Sequence, residues 1–248
     1  MKTSVEGEWG PSDFLLESTT IWDFPNRGSW ATHETVYRGN WSPYVPRNLI
    51  LRYSQEGDLI LDQFVGSGTT LVEAKLLNRE SIGIDVNPYA VSLSQKKCIL
   101  PHTFTSKASV TVGDARCLST IESDSIDLIC THPPYANAIQ YSDNLENDLS
   151  RLHYSDFLEQ ISKVAAESIR VLKSGKYCSI LIGDIRKHGS NIPLGFYTMD
   201  TFLSQGFKLK EIIIKEQQNC KSTGLWKQRS EKYNFLLLAH EYLFVFKK

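Results

Sequence analysis

Short apolar runs alternate with amphipathic segments along this 248-residue chain. Apolar runs of strand length are typical of strands covered on both faces, and apolar residues at helical spacing predict helices between them. The order of these segments predicts an α/β fold with a doubly wound sheet. The predicted strands are 58–64, 81–85, 110–114, 126–131, 176–183, 207–216 and 238–247, the last two as an antiparallel pair.

Helices are predicted between these strands, and the clearest spans Ser155 to Leu172. Its apolar residues repeat every three to four positions, and we expect Ser174 and Gly175 to end it. The other predicted helices are about 46–53, 69–77, 87–98 and 193–205. The polar stretches 136–153, 184–191 and 217–233 lack such periodicity and favour loops, and 136–153 is long enough for a functional loop or a lid.

A glycine turn separates the first predicted strand from the helix that follows it. Gly66 and Gly68 permit positive φ angles and let a ligand approach the main chain closely. A strand–turn–helix unit of this kind exposes amide N–H groups at the carboxyl edge of a sheet, where α/β folds bind ligands.

Polar residues also occur at the ends of three further strands. Asp85 ends the second strand, roughly 20 residues past the glycine turn, where such folds place the acid that binds ribose hydroxyls. Asp114 ends the third strand, and the fourth runs into His132. Because the carboxyl ends of parallel strands meet at one edge, these residues predict an active site there.

The segment 64–70 (Phe-Val-Gly-Ser-Gly-Thr-Thr), followed by 131–135 (Thr-His-Pro-Pro-Tyr), resembles a known enzyme family. This family comprises the S-adenosylmethionine-dependent methyltransferases that modify exocyclic amino groups of DNA bases, cytosine N4 or adenine N6. Its paired motifs are F-x-G-x-G and [D/N/S]-P-P-[Y/F/W]. The resemblance extends from about Trp41 to the C-terminus and implies a class I, Rossmann-like sheet of seven strands. His132 departs from the motif, which has Asp, Asn or Ser at that position.

The resemblance implies S-adenosylmethionine as cofactor, with Asp85 on the ribose hydroxyls and Asp114 on the adenine amino group. Asp62 is expected to hold either the glycine turn or the methionine amine. A dinucleotide is disfavoured because the glycine motif lacks the third glycine of that fingerprint. The residues expected to bind the cofactor are Trp41, Ser42, Asp62, Phe64, Gly66, Ser67, Gly68, Thr69, Asp85 and Asp114.

For catalysis, the resemblance implies two hydrogen-bond acceptors for the target amino group, the side chain of His132 and the carbonyl of Pro133. Pro133 and Pro134 hold that carbonyl rigidly, and Tyr135 is expected to stack on a flipped base. An imidazole accepts only when it is neutral. Activity should therefore fall in acid with the pKa of histidine, about 6.5 before environmental shifts.

Charge and composition narrow the expected partners. A net charge of −1 and a pI near 6.6 give no global attraction to nucleic acid. Positive charge is instead concentrated in 208–232, with seven basic and three acidic residues, and in a second cluster near position 186. The residues expected to contact nucleic acid are Arg186, Lys187, Lys221, Trp226, Lys227, Arg229 and Lys232.

The chain is expected to consist of an N-terminal arm, 1–40, packed on a single domain, 41–248. The arm is rich in Gly, Ser and Thr, but its tryptophans argue against disorder. No separate target-recognition domain is visible. Specificity is therefore expected from 136–153, 217–233, the arm, a homodimer or a second subunit. Five cysteines without a C-x-x-C pair suggest neither disulfides nor a metal site. No apolar run suits a membrane span, and we expect a cytoplasmic protein.

Three functional hypotheses remain open. The first is a DNA amino-methyltransferase of restriction-modification or orphan type, with Thr131-x-Pro-Pro-Tyr leaning slightly towards cytosine N4. The second keeps the chemistry but acts on an RNA base or a protein glutamine. The third is an inactive regulatory protein in which His132 is the inactivating change.

Overall fold

The computed structural model describes residues 7–35, 37–142, 145–218 and 223–248. Its helices are α1 (Tyr44–Tyr53), α2 (Thr69–Leu76), α3 (Pro88–Lys97), α4 (Tyr154–Val171), α5 (Leu194–Ser204) and α6 (Thr223–Tyr233). Its strands are β1 (Ile21–Trp22), β2 (Leu59–Asp62), β3 (Glu80–Asp85), β4 (Ala108–Val112), β5 (Ile126–Thr131), β6 (Leu172–Ile182), β7 (Ile185–Lys187), β8 (Ser190–Ile192), β9 (Lys208–Glu216) and β10 (His240–Lys247).

The main sheet has the strand order β1-β9-β10-β6-β5-β2-β3-β4. Strands β4, β3, β2, β5 and β6 are parallel, while β10 is antiparallel to both of its neighbours, β6 and β9. The predicted doubly wound α/β sheet with a terminal antiparallel pair is confirmed. An eighth strand, β1, was not predicted; it comprises two residues of the arm and pairs with β9.

The predicted end of the long helix at Ser174 and Gly175 is wrong. Helix α4 ends at Val171, and β6 begins at the next residue with no loop between them. Gly175 has a φ of +78° and lies where the pairing of β6 with β5 is irregular, so the glycine accommodates a bulge in a strand.

Two of the three predicted loops contain an α-helix or β-strands, and the third, 136–153, contains two short 3-10 helices, Ala136–Ala138 and Leu149–Arg151. The stretch 184–191 contains most of the β7–β8 hairpin, whose turn residues His188 and Gly189 both have positive φ. The stretch 217–233 contains α6. Both elements are largely exposed and polar, so the hydrophobic pattern does not mark them.

Apolar side chains fill both faces of the sheet. Helices α4 and α5 cover one face, where Phe157, Ile161 and Phe202 are fully buried. Helix α1 covers the other face with Val45 and Leu49. Within the described part of the chain, no helix combines the length and apolar character needed to cross a membrane.

A buried carboxylate, Glu73 of α2, joins the N-terminal arm to the helices. Its Oε1 accepts a hydrogen bond of 2.7 Å from Trp30 Nε1 and lies 2.7 Å from His33 Nε2. Its Oε2 accepts from Arg47 Nη1 of α1, also at 2.7 Å. Burial would raise the pKa of Glu73, but His33 and Arg47 outweigh it and lower the pKa. The carboxylate therefore stays charged and fixes the arm where it enters the site.

Replacing Glu73 by Ala should destabilise the protein by about 3–5 kcal/mol, because Arg47 and the arm donors lose their buried acceptor. Urea unfolding followed by circular dichroism measures the loss. Glu159→Ala is the matched control: Glu159 pairs with Lys163 on the surface of α4, so less than about 1 kcal/mol should be lost. Equal losses in the two variants would contradict the role of Glu73.

Candidate active site

A cavity of about 670 Å³ opens at the carboxyl ends of β2, β3 and β5. Its volume lies within the range of small-molecule and cofactor sites. The lining comes from these strand ends, from the arm, from the stretch 138–149, and from β9 and β10. The predicted site residues that line the cavity are Trp41, Ser42, Asp62, Phe64, Gly66, Thr69, Asp85, Asp114, His132, Pro133, Pro134 and Tyr135.

The two remaining predicted cofactor residues, Ser67 and Gly68, are placed differently and do not line the cavity. Ser67 is fully buried, with its hydroxyl 3.3 Å from Lys97 Nζ. Gly68 precedes α2 at a φ of +86°, and a Cβ there would collide with Ser94 of α3. These residues therefore serve the packing of the turn, whereas Gly66 faces Tyr37 and Asn40 at the cavity.

Asp62 holds the glycine turn against the end of β5. Its carboxylate accepts from Phe64 N at 3.1 Å, from Thr70 Oγ1 at 2.5 Å and from Thr131 Oγ1 at 2.8 Å. Of the two roles expected for Asp62, holding the turn is the one these contacts perform. Burial raises its pKa to about 6, although the three hydrogen bonds act in the opposite direction.

Asp85 and Asp114 differ in their surroundings. The Asp85 carboxylate accepts from the backbone N–H groups of Gly66, at 3.0 Å, and Asn87, at 2.9 Å, and burial raises its pKa. The Asp114 carboxylate is paired with Arg116, whose Nη2 lies 2.6 Å from Oδ2. Burial would raise the pKa of Asp114, but Arg116 outweighs it and lowers the pKa.

His132 stands where β5 meets the cavity. Its Nε2 lies 2.8 Å from the Tyr135 hydroxyl, and its ring stacks on Trp41 with 5.4 Å between centroids. Enclosure by these rings lowers the pKa of His132 to about 4. The expected acid titration near pH 6.5 is therefore displaced well downward, and the imidazole is neutral at pH 7.

Several cavity residues escaped the sequence prediction. Arg27 Nη2 donates to the Trp41 carbonyl at 2.9 Å, while Arg27 Nη1 is buried without a partner in the described structure. Lys215 and Glu241 reach the cavity from β9 and β10. Neither Glu241 nor Arg27 was proposed from the sequence: the one signal at Glu241 is a carboxylate inside an apolar strand, and no motif marks Arg27.

The predicted basic residues lie outside the cavity lining. On α6, Lys227, Arg229 and Lys232 are exposed, and the Arg229 guanidinium sits 5.1 Å from the centroid of the Trp226 ring. Arg186 of the hairpin donates to the carbonyl of Leu236, just past α6, so the two predicted clusters adjoin. Arg186, Lys187, Lys227, Arg229 and Lys232 are called the basic surface below. Lys221 lies outside the described residues.

Comparison with known proteins now identifies the family. The family model for DNA methylases of the N6/N4 type matches residues 6–96 and 126–248. The chain belongs to this family. The cofactor is therefore S-adenosylmethionine.

Individual relatives share shorter segments. The chain is 48% identical over 54 residues to the type II methyltransferase M2.DpnII of Streptococcus pneumoniae, covering 22% of this chain and 20% of the relative. It is 32% identical over 132 residues to a tRNA (guanine(10)-N2)-dimethyltransferase of Methanothermobacter thermautotrophicus, covering 53% and 37%. The chain thus spans well under half the length of these curated relatives.

Solved structures share the fold. A SAM-dependent methyltransferase from Methanosarcina mazei matches with a TM-score of 0.55 and 18% identity, over 81% of this chain and 96% of that one. TrmN from Thermus thermophilus matches with a TM-score of 0.57 and 17% identity, over 85% and 50%. The two motifs predicted the family of exocyclic-amino DNA methyltransferases and the class I methyltransferase fold. Both predictions are confirmed.

The residues that line the cavity suit S-adenosylmethionine. The cofactor carries a cationic sulfonium and amine, and Asp62, Asp85 and Glu241 give the cavity acidic walls. The unpartnered Arg27 Nη1 matches the carboxylate of the methionine portion. Among the described residues, no cluster of His, Cys, Asp or Glu would hold a metal ion.

The raised pKa of Asp62 leads us to predict how the free energy of unfolding depends on pH. An acid whose pKa is higher in the folded than in the unfolded state binds protons preferentially when folded, so its contribution to stability increases as pH falls through about 6. Relative to Asp62→Asn, which cannot titrate, the wild type should gain roughly 1 kcal/mol per pH unit between pH 6 and 4. Urea unfolding of both proteins at several pH values measures this difference, and a difference independent of pH would contradict it.

Proposed function

We propose that this chain transfers the methyl group of S-adenosylmethionine to an exocyclic amino group of DNA, cytosine N4 or adenine N6. The observation that carries the proposal is that His132 and Pro133 line the same cavity as Asp62, Gly66 and Asp85. Membership of the DNA methylase family supports the choice of substrate.

S-adenosylmethionine supplies an electrophilic methyl group on its sulfonium. On the protein side, we assign Asp85 to the ribose hydroxyls, since its carboxylate lines the cavity and is oriented by Gly66 and Asn87. Asp114 is assigned to the adenine end. Its pairing with Arg116 keeps it ionised and leaves it as an acceptor beside the cavity. Arg27 is assigned to the carboxylate of the methionine portion of the cofactor.

The target amino group is a weak nucleophile because its lone pair is delocalised into the base. Acceptors for both of its N–H groups make the nitrogen more tetrahedral and direct its lone pair at the methyl group. His132 and the carbonyl of Pro133 are assigned as these acceptors. Tyr135 is assigned to the wall against which the base lies.

An RNA base is the second candidate substrate. It is favoured by the tRNA (guanine(10)-N2)-dimethyltransferase, whose alignment covers more than half of this chain. That enzyme methylates the N2 amino group of guanine, a nitrogen of the same chemical kind.

Tritiated-methyl transfer separates these substrates. The protein is incubated with labelled S-adenosylmethionine and, in parallel, with DNA, tRNA and a cell extract. Label in DNA, recovered as N4-methylcytosine or N6-methyladenine, is the expected result. Label only in tRNA or only in protein would contradict DNA as the substrate, and label in none of them would contradict the enzymatic function.

Replacement of His132 tests its assigned role. His132→Ala should reduce transfer by about 100-fold or more and leave cofactor affinity nearly unchanged, because the acceptor is lost while the cofactor contacts remain. His132→Asn restores an acceptor and should recover part of the activity. Calorimetry and transfer assays measure the two effects. Full activity of His132→Ala would refute the role.

The pH profile tests the state of the same residue. Since burial lowers the pKa of His132 to about 4, the ring is already neutral at pH 5 and above. Wild type and His132→Asn should therefore show profiles of the same shape between pH 5 and 8. An acidic limb near pH 6.5 that disappears in His132→Asn would contradict this.

We assign phosphate contact to the basic surface. Replacing Lys227, Arg229 and Lys232 by Gln should weaken DNA binding and reduce the slope of log affinity against log salt by about 2–3. Fluorescence anisotropy at several salt concentrations measures both the DNA affinity and this slope. Lys96, Lys107 and Lys163, exposed elsewhere, form the matched triple control. Equal slopes in the two triple variants would contradict the assignment.

A further inference from the structure

A chain of hydrogen bonds connects His132 to the last two strands of the sheet. His132 Nε2 lies 2.8 Å from the Tyr135 hydroxyl, and that hydroxyl lies 2.5 Å from Glu241 Oε1. The other carboxylate oxygen, Glu241 Oε2, accepts from Lys215 Nζ at 2.9 Å. The four side chains thus form one continuous path from β9, through β10, to the cavity.

The protons on this path can be assigned from the charge of Glu241. Burial would raise the pKa of its carboxyl, but Lys215 and the other groups around it outweigh burial and lower the pKa. An ionised carboxylate has no hydrogen to donate. The single hydroxyl hydrogen of Tyr135 is therefore directed at Glu241, and the Tyr135 oxygen is left as an acceptor.

The imidazole must then donate to Tyr135. A neutral histidine carries one N–H, so a proton on Nε2 leaves Nδ1 with a free lone pair. No hydrogen bond to Nδ1 is made by any of the described residues. Stacking on Trp41, at an interplanar angle of 23°, holds the plane of the ring.

The position of Tyr135 is itself constrained by the backbone. Its ring packs against Gly183, immediately after β6, where an added Cβ would lie only 2.9 Å from Tyr135 Cε2. A contact that short cannot be tolerated without displacing the ring. The hydroxyl is therefore located by packing as well as by its two hydrogen bonds.

We propose that Glu241, held by Lys215 and acting through Tyr135, is a positioning residue that fixes His132 in its Nε2–H tautomer and so presents Nδ1 as the acceptor for the target amino group. The proposal rests on the proposed function for the identity of that amine. It explains how histidine can replace the Asp, Asn or Ser of the family motif. Those side chains always present an acceptor oxygen. In a neutral histidine, each ring nitrogen is an acceptor in only one of the two tautomers.

An isosteric variant changes the tautomer without changing the shape of the site. In Glu241→Gln, the amide oxygen is needed by Lys215, so the amide nitrogen faces Tyr135 and donates to it. Tyr135 then donates to His132 Nε2, which must be unprotonated, and the proton moves to Nδ1. The acceptor towards the substrate is lost. Tyr135→Phe is the second variant, and it leaves neither nitrogen fixed.

The test is nitrogen NMR of the cofactor-free protein labelled with ¹⁵N-histidine, since nitrogen shifts and proton couplings distinguish the two tautomers. His132→Asn identifies the His132 signals among the six histidines. The wild type should show Nε2–H at pH 7, Glu241→Gln should show Nδ1–H, and Tyr135→Phe a mixture. Glu211→Gln replaces a carboxylate four residues before Lys215 on β9, and as the matched control it should keep the wild-type pattern.

Transfer kinetics provide the second readout. Glu241→Gln should lower the rate of transfer at saturating S-adenosylmethionine by at least about 100-fold. An Nδ1–H tautomer in the wild type, or an unchanged tautomer in Glu241→Gln, would overturn the proposal whatever the activity. Failure of every substrate to accept a methyl group would overturn the proposed function, and the spectra would still decide the tautomer.

Discussion

The carboxylate of Asp62 is the interaction on which the site depends. It joins three parts of the chain that are distant in sequence: the glycine turn through Phe64, the start of α2 through Thr70, and the end of β5 through Thr131. Because His132 directly follows Thr131, these bonds set the position of the glycine turn relative to the His-Pro-Pro-Tyr segment. Two motifs that are 60 residues apart thus become two sides of one cavity.

A second buried acid, Glu73, fixes the N-terminal arm in a similar way. Glu73 binds Trp30 and His33 of the arm, and Arg47 of α1, and so determines where the chain runs before it reaches Trp41. That path brings Arg27 and Trp41 to the cavity. Both acids require several donors because an ionised carboxylate is costly to bury alone.

The parts of the fold that follow from the sequence are those with a buried, periodic pattern. Strand β5 is buried throughout and was placed at its observed bounds, whereas β1 is too short and the β7–β8 hairpin too polar to carry a pattern. The site residues that belong to the two motifs could be proposed from the sequence alone. Lys215 and Glu241 could not, because their proximity to His132 depends on the register of β9 against β10 and on the placement of β10 beside β6, which sequence periodicity does not specify.

We propose that the glycine turn and the His-Pro-Pro-Tyr segment serve one cofactor and one reaction. A crystal structure with S-adenosylhomocysteine tests it most directly. The ribose hydroxyls should lie on the Asp85 carboxylate, and the sulfur atom should lie on the side of the cavity formed by His132. A nucleoside bound away from Asp85, or a sulfur atom separated from His132 by the glycine turn, would contradict it.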